Sequence, residues 1–185
     1  MSMNRNYGET PLTLSELVIA AYTPSTDTIG TAVTLPSQQK LEITFEADNA
    51  VIKSGGVDRH GVSVVTGGTF TLSAAGIPWD ALATLCGWTL ASPSTGVETQ
   101  RGDAGGTGMP YFAIAGKHPD SILGDVHVGI VACKLNMPPG WKINENNEFL
   151  VSEMEGRIFV PTTRKLPYVR KQQTATAINL TTLFA

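Results

Sequence analysis

Apolar and polar residues alternate most regularly between Lys40 and Gly87. Leu41, Ile43, Phe45 and Ala47 interleave with Glu42, Thr44, Glu46 and Asp48. That period of two puts apolar side chains on one face of a strand and a hydroxyl and carboxylates on the other. After Ser54-Gly55-Gly56 and Asp58-Arg59-His60-Gly61 the pattern resumes. Val62 and Val64 flank Ser63, and beyond Gly67-Gly68 the residues Phe70, Leu72 and Ala74 alternate with Thr69, Thr71 and Ser73. Two such runs about a Gly-rich turn predict a long antiparallel hairpin. The period then changes: Trp79, Leu82, Leu85 and Cys86 fall three and four apart, the stripe of an amphipathic helix. Pro78 suits the first helical position, Asp80 suits the positive end of the helix dipole, and Gly87 suits the left-handed residue that ends a helix. So short a helix does not stand alone in water. Its stripe, Trp79, Leu82, Leu85 and Cys86, is expected to pack on a sheet.

The same signals divide the remaining chain. Residues 1–13 are polar and read as an N-terminal arm. Leu14–Tyr22 carries a short apolar run ended by Pro24, a buried strand, and Ile29–Leu35 is a second strand ended by Pro36. Trp88–Met109 has no periodicity and reads as a long loop, either functional, in contact with something else, or mobile. Pro110–Lys117 is a buried strand. Gly124–Asn136 is a strand with Val126, Val128, Ile130 and Ala132 on one face, and Trp141–Glu148 is a polar turn. Phe149–Val160 is the last long strand, with Leu150, Met154 and Ile158 opposite Glu153, Glu155 and Arg157. Residues 161–185 read as a C-terminal arm, basic at Arg164, Lys165, Arg170 and Lys171 and apolar at Leu180, Leu183 and Phe184. The expectation is one domain over 14–160: about eight antiparallel strands in a β-sandwich, with a long hairpin, one flanking α-helix and an arm at each end.

Composition narrows the function. Nineteen glycines and eleven prolines exceed the roughly 22 that average usage supplies for the pair, which favours a turn-rich β fold. The net charge of −3 argues against a nucleic-acid reader, which ordinarily carries a basic patch. No apolar run reaches the ~20 residues of a membrane span, so no membrane is expected as a partner. Met1–Tyr7 has no apolar core of a secretory signal, so synthesis and residence in a cytoplasm-like compartment are expected unless the chain leaves within an assembly. Cys86 and Cys133 read as small buried hydrophobes rather than a disulfide or metal ligands.

Little points to catalysis, and no cofactor or metal is expected. His60, His118 and His127 are far apart, without neighbours at metal-ligand spacing. His118-Pro119-Asp120-Ser121 reads as a turn, and His127 as a solvated or rim histidine. Gly102-Asp103-Ala104-Gly105-Gly106-Thr107-Gly108 lacks the Lys-Ser/Thr of a phosphate loop. The constellation that stands out is Glu42, Glu46 and Asp48 with Thr44 on one strand face. It is either a solvated outer face or, with several copies together, a ring of negative charge that repels a polyanion.

The order of elements resembles the tail tube (major tail) proteins of long-tailed bacteriophages. The stretches that carry the resemblance are Phe45-Glu46-Ala47-Asp48-Asn49-Ala50-Val51-Ile52, Gly68-Thr69-Phe70-Thr71-Leu72-Ser73 and Trp79-Asp80-Ala81-Leu82. The resemblance spans about Ser15–Val160 as architecture. It implies a structural virion protein, not an enzyme, made in the host cytoplasm. Its copies would form hexameric rings that stack into a tube through which viral DNA passes without specific binding. Leu41–Asp48 and Val62–Ser73 would supply inner-barrel strands with Glu42, Thr44, Glu46 and Asp48 facing the lumen. A bulge at Gly67-Gly68 would shift the second strand's register, so its inward-facing residues stay open. The hairpin tip Lys53–Gly61, with Lys53, Asp58, Arg59 and His60, and the two arms would make contacts between rings. The implied partners are further copies, the tape measure protein and other tail proteins. Two other readings stand beside it: a secretion-system-like tube ring, and a β-sandwich binding or capsid-decoration module using Trp88, Tyr111 and Trp141.

Overall fold

The computed structural model describes residues 14–36, 38–54, 57–91, 99–101, 108–119, 124–139, 151–163, 168–173 and 177–185. In chain order these form β1 (Glu16–Thr23), β2 (Thr28–Thr34), β3 (Gln38–Ser54), β4 (Val57–Ala75), α1 (Trp79–Cys86), β5 (Thr89–Ala91), β6 (Thr99–Arg101), β7 (Phe112–His118), β8 (Asp125–Leu135), β9 (Val151–Phe159), β10 (Tyr168–Gln173) and α2 (Leu180–Leu183). The chain is mainly β and wholly antiparallel, as the alternation predicts. One sheet runs β2-β1-β7-β8-β9-β4-β3, with β10 added beside β8.

The long strand β8 lets this one sheet make two layers. Its first half lies between β7 and β10. Its last three residues, Cys133–Leu135, pair instead with β9. At the change Ala132 takes a left-handed φ of 58°, and the β7–β8 register shifts between Phe112 and Ile114. The strand turns there, so the β3–β4–β9 layer lies over the β1–β7–β8 layer. One core joins them, including Leu17, Ile19, Phe70, Leu72, Phe112, Ile114, Ile130, Met154 and Ile158. Phe70 and Phe112, one from each layer, meet edge to face with ring centroids 5.8 Å apart, a favoured aromatic geometry. The ring of Phe70 lies over Gly156, where a Cβ would collide with it and with the Lys134 carbonyl oxygen.

The turn in β8 also changes the expected facing. Ile130 enters the shared core, but Ala132 joins a second cluster on the opposite face with Val18, Ala20, Tyr22, Ala113, Ala115 and Val131. β1 contributes Leu17 and Ile19 to one cluster and Val18 and Ala20 to the other. Burial on both faces explains its unbroken apolar run.

The second cluster is closed by the C-terminal segment, which departs from the expected arm. β10 pairs with β8 from Tyr168↔Ile130 to Gln173↔Asp125. Ile178, Leu180, Leu183 and Phe184 are then buried on the outer face of β1–β7–β8. Asn179 caps α2 by accepting the Thr182 N–H at 3.1 Å. Gly129 leaves the room: a Cβ there would stand 2.6 Å from Phe184 Cζ and 2.8 Å from Leu183 Cδ2.

α1 packs against β1, β2, β5 and β8. Pro78 is its N-cap, one position earlier than expected, and Gly87 ends it at φ 70° with its N–H donating to the Ala83 carbonyl at 2.8 Å. Ala81, Leu82, Leu85 and Cys86 are buried, whereas Trp79 is 43% exposed. At 3.6 residues per turn the buried stripe centres between Ala81 and Cys86 and leaves Trp79 about a quarter-turn to one side. The expected loop 88–109 contains the small β5–β6 hairpin, Thr89↔Arg101 to Ala91↔Thr99. The N-terminal arm 1–13 and the turn 141–148 lie outside the described residues. No described helix is long and apolar enough to cross a membrane.

Candidate functional site

β3, β4 and β9 form a three-strand surface whose rungs follow from register. Lys40–Ser73–Glu153, Glu42–Thr71–Glu155, Thr44–Thr69–Arg157 and Glu46–Gly67–Phe159 lie side by side. Residues directly opposite in an antiparallel ladder share a face. The alternate rungs, Leu41–Leu72–Met154 and Ile43–Phe70–Gly156, face the core. Glu42, Thr44, Glu46, Glu153, Glu155 and Arg157 are exposed, so the polar face is not covered by the described parts of the domain. Lys40 Nζ pairs with Glu42 Oε2 at 2.8 Å, and that contact raises the lysine's pKa, with a smaller contribution from Glu153.

This face is less purely acidic than Glu42, Glu46 and Asp48 alone suggest. Lys40 and Arg157 lie on it. Lys134, opposite Arg157 on β8, extends the same rung. Its ammonium stands 4.2 Å from the centroid of the Tyr111 ring, which in turn meets Phe159 edge to face at 5.6 Å. Carboxylates still outnumber cations there.

Beyond Glu46 the hairpin leaves the domain. β9 pairs with β4 only over Gly67–Ala75, so Val57–Thr66 of β4 have β3 as their sole ladder partner among the described residues. The ladder continues from Ala47↔Val65 to Ser54↔Val57. On this projecting part Ala47–Val51 and Gly61–Thr66 are all exposed. Val51, Val62 and Val64 are 50%, 53% and 55% exposed, an unusual placement for β-branched side chains in a paired strand. The outer edge of β3 has no strand partner along its 17 residues among the described parts of the chain.

The projecting part begins at a β-bulge. Glu46 is opposite Gly67 and Ala47 is opposite Val65, which leaves Thr66 as the extra residue. The Thr66 hydroxyl reaches the Glu46 carbonyl at 3.5 Å. Backbones crowd here: a Cβ on Gly68 would collide with the Thr44 carbonyl oxygen, and one on Gly67 would stand 2.9 Å from that of Ile158. The bulge settles the facing of the second strand. Asp48↔Val64 and Ala50↔Val62 continue the face that carries Glu42 and Glu46, whereas Phe70 and Leu72 point into the core. Where the hairpin leaves the sandwich, Phe45 meets Tyr168 of β10 edge to face at 5.3 Å.

The other expected residues divide as follows. Lys53, Asp58 and His60 lie in ladder pairs near the tip, Lys53↔Asp58 and Ile52↔His60, with the paired strands reaching closer to the turn than Lys53–Gly61 implied. The side chains of these residues and of Arg59 lie outside the described residues. Of the stripe on α1, Leu82, Leu85 and Cys86 pack inward. Cys86 and Cys133 are free, buried thiols. Burial pushes the Cys86 pKa up to about 11 and that of Cys133 well above the usual thiol range, so both remain protonated and unreactive at neutral pH. His127 is not at a rim: it is fully buried on β8. Its alternation with Val126 and Val128 suggested an open face; two residues along the same face, Gly129 lies against Phe184 and Leu183 of the C-terminal segment. Among the described residues no group of His, Cys, Asp and Glu could hold a metal ion. A depression beside the polar face is lined by Asn136, Met137, Pro138, Glu153, Met154 and Glu155, which bring two carboxylates and no thiol, hydroxyl or imidazole.

No protein-family model matches the sequence, and no curated protein matches it. Among solved structures the chain is similar to one from the cryo-EM structure of the anti-feeding prophage cap (AFP tube terminating cap). That match has 10% identity and a TM-score of 0.45, covering 94% of this chain and 100% of that one. A chain from the cryo-EM structure of the anti-feeding prophage baseplate, 6-fold symmetrised, matches with 11% identity and a TM-score of 0.36, covering 91% and 99%.

Proposed function

We propose that this chain is a structural subunit of a phage tail-like particle. Its copies complete one another's β3–β4 hairpins into a closed ring, hexameric by the resemblance read from the sequence, and the rings stack into a tube. The face bearing Glu42, Thr44, Glu46 and Asp48 lines the lumen. DNA passes along it without adhering, because carboxylates repel phosphates and leave no basic groove in which counterions would be released. Further copies, the tape measure protein and other tail proteins are the partners.

The observation that carries the reading is the unfinished hairpin. A two-stranded ribbon is marginal in water without a third strand or a packed face. Here it exposes Val51, Val62 and Val64 and, among the described residues, two long open edges. Such edges are templates for added strands, and ring closure removes them. Electron microscopy of the purified full-length chain tests the proposal by showing rings or tubes. A monomer in which the β3 edge amides exchange with solvent as slowly as core amides would overturn it, since those edges would then be satisfied within one chain.

A further inference from the structure

We propose that the C-terminal segment Ile178–Phe184 is an acid-released clasp, opened by protonation of His127 in the rung beneath it. That rung crosses four strands: Glu16 of β1, Lys117 of β7, His127 of β8 and Lys171 of β10 are adjacent in register. Lys117 Nζ is held by Glu16 at 2.9 Å and lies 3.7 Å from Asp125. Asp125 is nearly buried and His127 wholly so. The rung is joined to the clasp, because Lys171 Nζ donates to the Thr182 carbonyl at 3.2 Å. Two residues along β8 from His127, Gly129 lies against Phe184 and Leu183. Residues 177–185 carry no ionisable side chain.

The imidazole therefore sits near the Lys117 ammonium, which the carboxylates of Glu16 and Asp125 already hold, while the Lys171 ammonium is turned to the Thr182 carbonyl. A second cation in that place is costly unless water reaches it. Burial, the largest influence, lowers the His127 pKa; Lys117 lowers it further, while Asp125 and Glu16 oppose the change. The closed form thus binds the proton less well than a form with the clasp lifted, where the imidazole regains its ordinary pKa of ~6.5. Closure is complete above that value and weakens as pH falls below it. Lifting the clasp uncovers the apolar face that carries Val18, Ala20, Ala113, Ala115 and Val131. The inference stands on this cluster and does not depend on tube formation.

Hydrogen exchange of the full chain, corrected for intrinsic rates, is the test. Between pH 7.5 and 5 the opening of residues 178–184 should rise by up to about tenfold per unit below ~6.5, while β4 and β9 amides keep their protection. His127→Gln should abolish that dependence. Lys171→Met should raise opening by the same factor at every pH and leave the slope intact. An NMR titration of the wild-type imidazole provides the check if His127→Gln does not fold, since its midpoint must coincide with that of clasp opening. Opening that ignores pH, a His127→Gln protein that keeps the wild-type slope, non-coincident midpoints, or equal loss of protection in β4 and β9 would each overturn the proposal.

Discussion

The two layers of this molecule treat their outer faces in opposite ways. The outer face of β1–β7–β8 carries Val18, Ala20, Ala113, Ala115 and Val131, and the chain covers it with its own C-terminal segment. The outer face of β3–β4–β9 carries Glu42, Thr44, Glu46, Glu153, Glu155 and Arg157 and is left bare. An apolar face must be removed from water, whereas a charged one is most stable wet. The hairpin beyond Glu46 fits neither rule, because its valines are apolar and open. Covered, bare and unfinished surfaces therefore mark what belongs to the fold, what faces solvent and, in the proposed assembly, what neighbouring copies complete.

Removing residues 161–185 attacks the covered face and should have the largest effect. Burial of Ile178, Leu180, Leu183 and Phe184, at about 1.5–3 kcal/mol each, amounts to an upper bound on the order of 6–12 kcal/mol. That rivals the whole stability of a domain, roughly 5–15 kcal/mol, so the truncated chain should be insoluble or lose its cooperative thermal transition. A truncation with an unchanged melting curve would erase the contrast between the two faces.

Gly156→Ala probes the interior that both layers share. A Cβ there meets a backbone carbonyl and the Phe70 ring, and overpacking of this kind costs about 1–3 kcal/mol, readable as a fall in the urea midpoint. Val62→Lys with Val64→Lys probes the unfinished part: the isolated subunit should change by no more than about 0.5 kcal/mol, as surface substitutions do, while rings and tubes disappear from micrographs. Glu42→Gln with Glu46→Gln should be the mildest, leaving the thermal midpoint and the assemblies unchanged but increasing DNA retention on tubes in low salt.

The contrast was partly legible in the sequence. Strict alternation over Leu41–Asp48 and Thr69–Ala74 marked both the buried and the bare side of the hairpin, because one wet face writes a period of two. The covered face was harder to see. Leu180, Leu183 and Phe184 stand at i, i+3 and i+4, but over a single turn among threonines, too short for the spacing to announce burial, and their partner surface mixes Val18 and Val131 with alanines and Gly129. His127 was misplaced for the same reason, since the face it shares with Gly129 is packed by a distant part of the chain. The facing of Val62 and Val64 depended on one extra residue, Thr66, and alternation counted through a bulge has no fixed phase. Trp79 was misplaced because three-and-four spacing admits a residue at the flank of a stripe as readily as one at its centre.

Counted at about 3.3 Å per residue, the part of β3 from Glu46 to Ser54 carries the turn roughly 30 Å from the body of the molecule. At that reach a ten-degree swing about Thr66 and Gly67 moves the turn by about 5 Å, as much as the spacing between neighbouring strands. The Thr66 bulge and the crowded Gly67 beside it thus stand at the base of a long lever: the aim of the distant end, and with it the alignment of any strand added there, is decided next to the core.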